Sequence, residues 1–175
     1  MEHPLKPGGY ALDQTHTQIG FVVTHLGITP IRGMFTDFNG RLEVGETPEA
    51  SSLEVTVALA SLQSSHPGRE QHVQGEDFFD SERHPMMAFS TSQILGSGDQ
   101  WTMTGPLTLR GVSVPVSLEA TLTGRTVFPM DNKEHIGFVA RGVVSRSAFG
   151  VAAQIPSFML SDDIQLDLSV QLIAE

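Results

Sequence analysis

Residues 112–122, Val-Ser-Val-Pro-Val-Ser-Leu-Glu-Ala-Thr-Leu, place an apolar side chain at every second position. Successive side chains of a strand point to opposite faces of a sheet, so this period predicts a strand with one buried face. The same alternation recurs along the chain, in residues 17–28, 31–42, 53–59, 86–95, 101–109, 136–144 and 164–172. About eight such strands, separated by glycine and proline, predict an all-β fold, an eight-stranded antiparallel β-barrel whose closure leaves no exposed edge.

The length and composition of the chain suit one compact unit. It has 175 residues, of which 39% are hydrophobic and 17% charged. We therefore expect a single domain spanning residues 1–175 with a packed core. The alternation breaks at residues 67–82, where mixed charge and Phe78-Phe79 precede Pro85, and one or two short helices are expected there. Asn39-Gly40 predicts a tight turn or bulge, because both residues tolerate a positive φ.

The charge balance narrows the choice of partners. Twenty Asp and Glu against ten Lys and Arg give a formal net charge of −10, a field that repels the phosphates of nucleic acids, so we expect no nucleic-acid partner. The longest apolar runs are too short to span a bilayer, so no integral membrane segment is expected. The first ten residues show neither the basic nor the apolar region of a signal peptide, which predicts a cytoplasmic location.

Motifs of the common catalytic sites are missing from the sequence. It contains no G-x-S-x-G, no Walker A sequence, no G-x-G-x-x-G after a strand and no cysteine, which removes thiolate chemistry and disulfides. Its seven histidines include no His-Glu-x-x-His and no pair four residues apart. We predict no metal site.

The aromatic residues are strongly apolar, and they could either fill a core or line a cavity. There are ten Phe and seven Met but one Trp and one Tyr. His25 falls on the apolar face of its strand, where a buried imidazole needs a hydrogen-bond partner. It is either a core or rim histidine bonded to backbone, or a polar contact for a ligand headgroup at a cavity mouth. In the second interpretation Arg32 and Arg146 could form a charged clamp.

Short motifs along the whole chain point to one family. They are Asp13-x-x-His16-Thr17-x-Ile19-x-Phe21-x-Val23-x-His25-Leu26, Arg32-Gly33-x-Phe35-x-x-Phe38-x-Gly40, Arg69-x-x-His72, Asp77-Phe78-Phe79-Asp80, His84-Pro85 with Phe89-Ser90, Gly105-x-Leu107-Thr108-Leu109-Arg110-Gly111-Val112, and Arg146-x-x-Phe149-Gly150. In this order they resemble the YceI-like, polyisoprenoid-binding family. The resemblance implies a lipocalin-like barrel with a long apolar tunnel for an isoprenoid or similar lipid, commonly in a homodimer. Members are often periplasmic, whereas this sequence shows no signal peptide.

The resulting hypothesis is a carrier or sequestering protein for an isoprenoid-type lipid, such as a polyprenyl, quinone or fatty-acid derivative. It needs no cofactor other than such a lipid. The apolar lining is assigned to Phe21, Val23, Phe35, Phe38, Phe78, Phe79, Met86, Phe89, Trp101, Leu107, Leu109 and Phe138. The polar end of the tunnel is assigned to His25, Arg32, His72 and Arg146.

Two alternatives remain at this stage. One is an enzyme or redox protein that acts on such a lipid with His25 or His72 as base, although no set of nucleophile, base and orienting residue is recognisable. The other is a barrel with a filled interior that serves as an interaction module. A hollow interior separates the lipid-binding hypothesis from the filled barrel. The headgroup, whether phosphate, quinone or amide, stays open.

Overall fold

The computed structural model describes residues 5–175 of the chain. The chain forms twelve strand segments: β1 (Gly8–Leu12), β2 (Gln18–His25), β3 (Thr29–Phe35), β4 (Phe38–Val44), β5 (Ser52–Ala58), β6 (Leu62–Gln63), β7 (Met86–Ser90), β8 (Gln93–Ser97), β9 (Gln100–Leu109), β10 (Val112–Val127), β11 (Glu134–Ser145) and β12 (Asp163–Ala174). One α-helix, α1 (Pro67–Val73), and three 3-10 turns (Pro48–Ala50, Leu59–Ser61 and Ser147–Phe149) complete the described elements.

The sheet closes into an eight-stranded antiparallel barrel, as the alternation predicted. The ring runs β1, β4, β5, β7, β9, β10, β11, β12, and β12 returns to β1 through the pair Leu12 and Leu172. Segments β2, β3 and β6 continue the wall toward one end, because β2 pairs with β12 and β3, and β3 pairs with β6. Four long strands of the barrel are therefore each interrupted and form two segments. The pairs of segments are β1 and β2, β3 and β4, β5 and β6, and β7 and β8.

Two of these breaks lie side by side and are hydrogen bonded to each other. At the break between β3 and β4, the Thr36 amide donates to Ser61 Oγ at 3.1 Å and the Thr36 hydroxyl donates to the Ser61 carbonyl at 3.2 Å. The Ala58 amide donates to the Asp37 carbonyl at 2.9 Å. Ser61 belongs to the break between β5 and β6. The two strand breaks therefore lie at one level of the wall, next to the fully buried side chains of Phe38 and Leu59.

The prediction of a turn or bulge at Asn39-Gly40 is wrong. Both residues lie in regular pairs of β4 with β5, Asn39 opposite Thr56 and Gly40 opposite Val55. The irregular residues are Thr36 and Asp37, where hydrogen bonds to the neighbouring break replace the strand ladder. The expectation of a short helix within residues 67–82 is confirmed by α1.

Two segments cover one end of the barrel. The first, residues 64–85, contains α1; the second, residues 146–162, connects β11 to β12. The Ala152 amide donates to the Asp77 carbonyl at 2.7 Å and joins the two. The second segment is also tied to β2, since the Leu26 amide donates to the Met159 carbonyl at 2.9 Å. Within residues 5–175, no helix has the length and apolar character needed to cross a bilayer.

Candidate functional site

The interior of the barrel holds two apolar cavities. The larger, about 480 Å³, lies below the two covering segments. The smaller, about 150 Å³, lies in the opposite half and has no charged residue in its lining. The filled barrel is therefore not what the structure shows. Where the resemblance implied one long tunnel, the structure shows two cavities that share no lining residue.

Phe38 lies between the two cavities. Phe35, three residues earlier, lines the larger cavity, and Leu42, four residues later, lines the smaller one. Phe38 itself lines neither and is 2% exposed, packed in the same cluster as Leu59. The change from one lining to the other therefore occurs close to the strand breaks at Thr36-Asp37 and Leu59–Ser61.

The wall of the larger cavity follows from the inward faces of the strands. Phe21 and Val23 project from β2, and Leu107 and Leu109 from β9, each pair at the spacing of two that alternation requires. Gly33, opposite Phe21 in β3, leaves room for the Phe21 ring. A Cβ at position 33 would lie 2.7 Å from Phe21 Cε1, so glycine here sets the place of that ring.

Most of the predicted site residues lie at the two cavities, and their contact with a ligand stays a prediction. The larger cavity is lined by Phe21, Val23, His25, Arg32, Phe35, His72, Phe78, Phe79, Leu107, Leu109 and Arg146. The smaller cavity is lined by Phe89, Trp101 and Phe138.

Two predicted lining residues line neither cavity. Phe38 faces inward but is packed between the compartments. Met86 is 45% exposed on the outside of β7, whereas Met87 lines the larger cavity. The assignment of Met86 is wrong by one position, because Met87 shares its strand face with Phe89 and Met86 does not.

The mouth of the larger cavity carries cationic and imidazole groups. His25, Arg32 and His72 are exposed, and Arg69 is half-buried. The Arg69 guanidinium donates to the Ser64 carbonyl at 3.3 Å. Among residues 5–175, neither Arg32 nor Arg69 forms an ion pair with a carboxylate.

Exposed apolar side chains lie beside this mouth, on the turn after β2 and on the second covering segment. Ile28 is 79% exposed and Leu26 49%, while Phe158 is 72% and Met159 43%. Met159 also lines the cavity. The mouth therefore combines apolar and cationic groups.

Arg146 lies at the same cavity, but its surroundings differ from the clamp that the sequence suggested. Its side chain is 5% exposed. Nε donates to the carbonyl of Ser161, Nη1 to those of Val151 and Ala152, and Nη2 to those of Ile155 and Leu160. A guanidinium has five N–H groups, and all five are engaged. Arg146 holds the second covering segment in place and has no donor left for a headgroup.

Asp162 supports the same segment from its other end. Its carboxylate accepts hydrogen bonds from the Ser145 hydroxyl and, at 3.1 Å, from the Ser147 amide. These bonds, that of Ser145 first, hold the pKa of Asp162 below its ordinary value because they favour the charged form.

Comparison with known proteins places this geometry in a family. The family model described as a YceI-like domain matches residues 10–172. The chain belongs to the YceI-like family. Protein YceI of Escherichia coli O157:H7 is 32% identical over 165 residues, which cover 93% of this chain and 85% of that protein.

Solved structures that resemble this chain share the barrel. The YceI protein of Campylobacter jejuni is 32% identical, with a TM-score of 0.79 over 87% of this chain and 90% of that one. A polyisoprenoid-binding domain from Saccharophagus degradans is 13% identical, with a TM-score of 0.71 over 95% of this chain and 98% of that one. At 13% identity this last likeness concerns the fold alone.

The histidines proposed as bases in the alternative hypothesis are not oriented by an acid in this YceI-like barrel. Within residues 5–175, His25 forms no side-chain hydrogen bond, and the His72 ring packs edge-on against Phe78 with ring centroids 5.1 Å apart. A general base normally needs an orienting partner. The same residues contain no group of three or more His, Asp and Glu side chains placed to hold a metal ion.

Sequence reasoning missed part of the YceI-like site. Met87 could have been found from its face, which it shares with Phe89. Arg69 belongs to the Arg69-x-x-His72 motif, but the motif alone does not predict that its side chain reaches the cavity. The second covering segment gave no periodic signal, because it is irregular. Its cavity residues are Phe149, Val151, Ile155, Met159 and Leu160.

Proposed function

We propose that this YceI-like protein binds an isoprenoid-type or similarly long apolar lipid in the larger cavity, for transport, storage or sequestration. The observation that carries the proposal is the apolar cavity of about 480 Å³ below the covering segments, with His25, Arg32 and His72 exposed at its mouth. The polyisoprenoid binding of the structural neighbour from Saccharophagus degradans supports it.

The energetics of burial fit this function. Each buried methylene contributes about 0.8 kcal/mol, so one five-carbon isoprene unit contributes roughly 3–4 kcal/mol before costs. Three units give about 9–12 kcal/mol, against an association cost of roughly 4–15 kcal/mol. A bound chain of this size therefore reaches useful affinity when the cost lies in the lower part of that range, without any reaction at the site.

The test compares two adjacent valines of β11. Val144 lines the larger cavity, and Val143 is 57% exposed on the outer face. We expect Val144→Phe to fill the cavity and weaken binding of farnesol, a C15 isoprenoid, about tenfold or more, as measured by calorimetry. Val143→Phe adds the same ring outside and should leave the affinity unchanged.

Mass spectrometry of solvent extracts from natively purified protein gives the second readout. We expect a co-purified lipid in the wild type and in Val143→Phe, and much less in Val144→Phe. If the wild type yields no lipid and does not bind farnesol, the proposal is wrong. Equal binding by both variants would place the lipid elsewhere.

A further inference from the structure

The charged residues at the larger cavity are of one sign. The chain has twenty Asp and Glu against ten Lys and Arg, yet Arg32, Arg69 and Arg146 line this cavity and no Asp or Glu does. Because acidic residues outnumber basic residues two to one in this chain, a cavity lined by arginine without Asp or Glu is not expected from the composition alone. The mouth therefore has an electrostatic preference for anions.

The three arginines have different amounts of free hydrogen-bonding capacity. Arg146 uses all five N–H groups on backbone carbonyls. Arg69 uses one side-chain donor, on the Ser64 carbonyl at 3.3 Å. Arg32 makes no side-chain hydrogen bond to any other residue within residues 5–175. Arg32 and Arg69 thus keep the donors that a bound anion requires, and a guanidinium stays charged at every physiological pH.

Pairing of β3 with β6 brings these two arginines to one place. Met34 lies opposite Gln63 and Phe35 opposite Leu62. Ser64, whose carbonyl Arg69 contacts, directly follows β6 and lines the larger cavity together with Arg32. Arg32 lies on an unpaired edge of β3, since β6 ends at Gln63. Its long side chain reaches the cavity mouth although its strand position alternates with the inward-facing Ile31 and Gly33.

We infer that Arg32 and Arg69 form an anion subsite at the cavity mouth, and that the ligand is an amphiphile with a phosphate or carboxylate headgroup and an apolar tail. Two guanidinium groups that lack carboxylate partners match the oxygens of such a headgroup. The apolar wall below them receives the tail. This inference rests on the proposed function and specifies the headgroup that the sequence left open.

The experiment compares two C15 isoprenoids that differ at the headgroup, farnesol and farnesyl phosphate, by calorimetry. We expect the wild type to bind farnesyl phosphate about tenfold or more tightly than farnesol, because charge-assisted hydrogen bonds form only with the phosphate. Raising the salt concentration should weaken farnesyl phosphate binding and leave farnesol binding unchanged.

Substitutions of Arg32 and Arg69 test whether these residues cause the preference for farnesyl phosphate over farnesol. Arg32→Gln and Arg69→Gln should each reduce the farnesyl phosphate preference several-fold, and the double variant should bring the two affinities close together. Arg141→Gln is the matched control, because Arg141 is exposed on β11, opposite Asp167, and lines neither cavity. It should keep the wild-type preference. Thermal melting of all variants checks that the barrel is intact.

The outcomes separate this inference from the proposed function. Equal wild-type affinities for the two lipids would overturn the anion subsite and leave lipid binding standing. Loss of preference in Arg141→Gln as great as in Arg32→Gln would also overturn it. If neither lipid binds, the proposed function fails. Inorganic phosphate is the third probe: if it binds as tightly as farnesyl phosphate, the site takes a free anion and the amphiphile is wrong.

Discussion

Arg146 and Arg32 lie at the same cavity, but their guanidinium groups differ in exposure and in hydrogen bonding. Arg32 is exposed and has its donors free, whereas Arg146 is buried and binds five carbonyls of residues 151–161. A buried carbonyl without a donor is destabilising, so Arg146 stabilises the irregular segment that covers the cavity. The role of Arg146 in the Arg146-x-x-Phe149-Gly150 motif is therefore to hold the backbone of residues 151–161.

This difference predicts the effect of Arg146→Lys. An ammonium has three donors at one point, so at least two carbonyls lose their partner, each at a cost of about 1–3 kcal/mol. We expect the free energy of unfolding to fall by roughly 2–4 kcal/mol in urea denaturation, with Arg141→Lys unchanged. Unaltered stability together with lost farnesyl phosphate binding would instead show that Arg146 holds the headgroup.

At the scale of elements, alternation was sufficient for the barrel wall but not for its breaks. The period of two in residues such as 112–122 shows which face is buried, so it predicts the strands and places most of the proposed lining residues on inward faces. The breaks at Thr36-Asp37 and Leu59–Ser61 depend on hydrogen bonds between segments distant in sequence. No local pattern encodes them, and Asn39-Gly40, which has local turn propensity, stays in a regular strand.

The second covering segment could not be predicted from the sequence, for a similar reason. Residues 146–162 contain no strand or helix period, and their position depends on Arg146 and Asp162. Arg32 was assigned to the polar end, but the absence of a carboxylate partner within the described residues is a three-dimensional fact. The sequence shows which residues are charged. It does not show which of them form ion pairs or have all their hydrogen-bond donors engaged.

The hydrogen bonds of Asp162, at the end of the second covering segment, make the stability of the fold depend on pH. The folded pKa of Asp162 is lowered by the Ser145 and Ser147 hydrogen bonds, so the stabilisation is present above the unfolded pKa and is lost as pH falls through the lower folded pKa. Between about pH 5 and pH 3, the free energy of unfolding should therefore decline less steeply in Asp162→Asn than in the wild type.

Urea denaturation at several pH values measures that slope. At pH 7 the substitution should cost on the order of 1 kcal/mol, the usual contribution of a hydrogen bond. Asp163→Asn is the control, since Asp163 is exposed and next in the chain. Identical slopes for the wild type and Asp162→Asn would show that Asp162 does not contribute to acid sensitivity.

At the scale of the whole molecule, we expect the sizes of the two interior cavities to set the length of the ligand. A dry apolar cavity of about 150 Å³ accommodates one benzene ring. The larger cavity, about 480 Å³, therefore has room for about three such units, close to the fifteen carbons of farnesol. A longer chain, such as C20, would also need the smaller cavity, and we expect Phe38, packed between the two, to hinder its entry.

The fluorescence of Trp101 can report whether a ligand enters the smaller cavity. Trp101 is the only tryptophan of the chain, is 7% exposed and lines the smaller cavity. In the wild type we expect farnesol to bind without changing tryptophan emission. Phe38→Leu should open the partition, so that geranylgeraniol, one isoprene unit longer, binds about tenfold more tightly than in the wild type and shifts the emission.

Phe128→Leu is the matched control, because Phe128 is 41% exposed on the hairpin between β10 and β11 and lines neither cavity. It should leave farnesol and geranylgeraniol affinities unchanged. If farnesol already changes Trp101 emission in the wild type, or if geranylgeraniol binds wild type and Phe38→Leu equally, the two compartments act as one channel. Chain length would then be set by the ends of the barrel, because Phe38 would move aside at little cost.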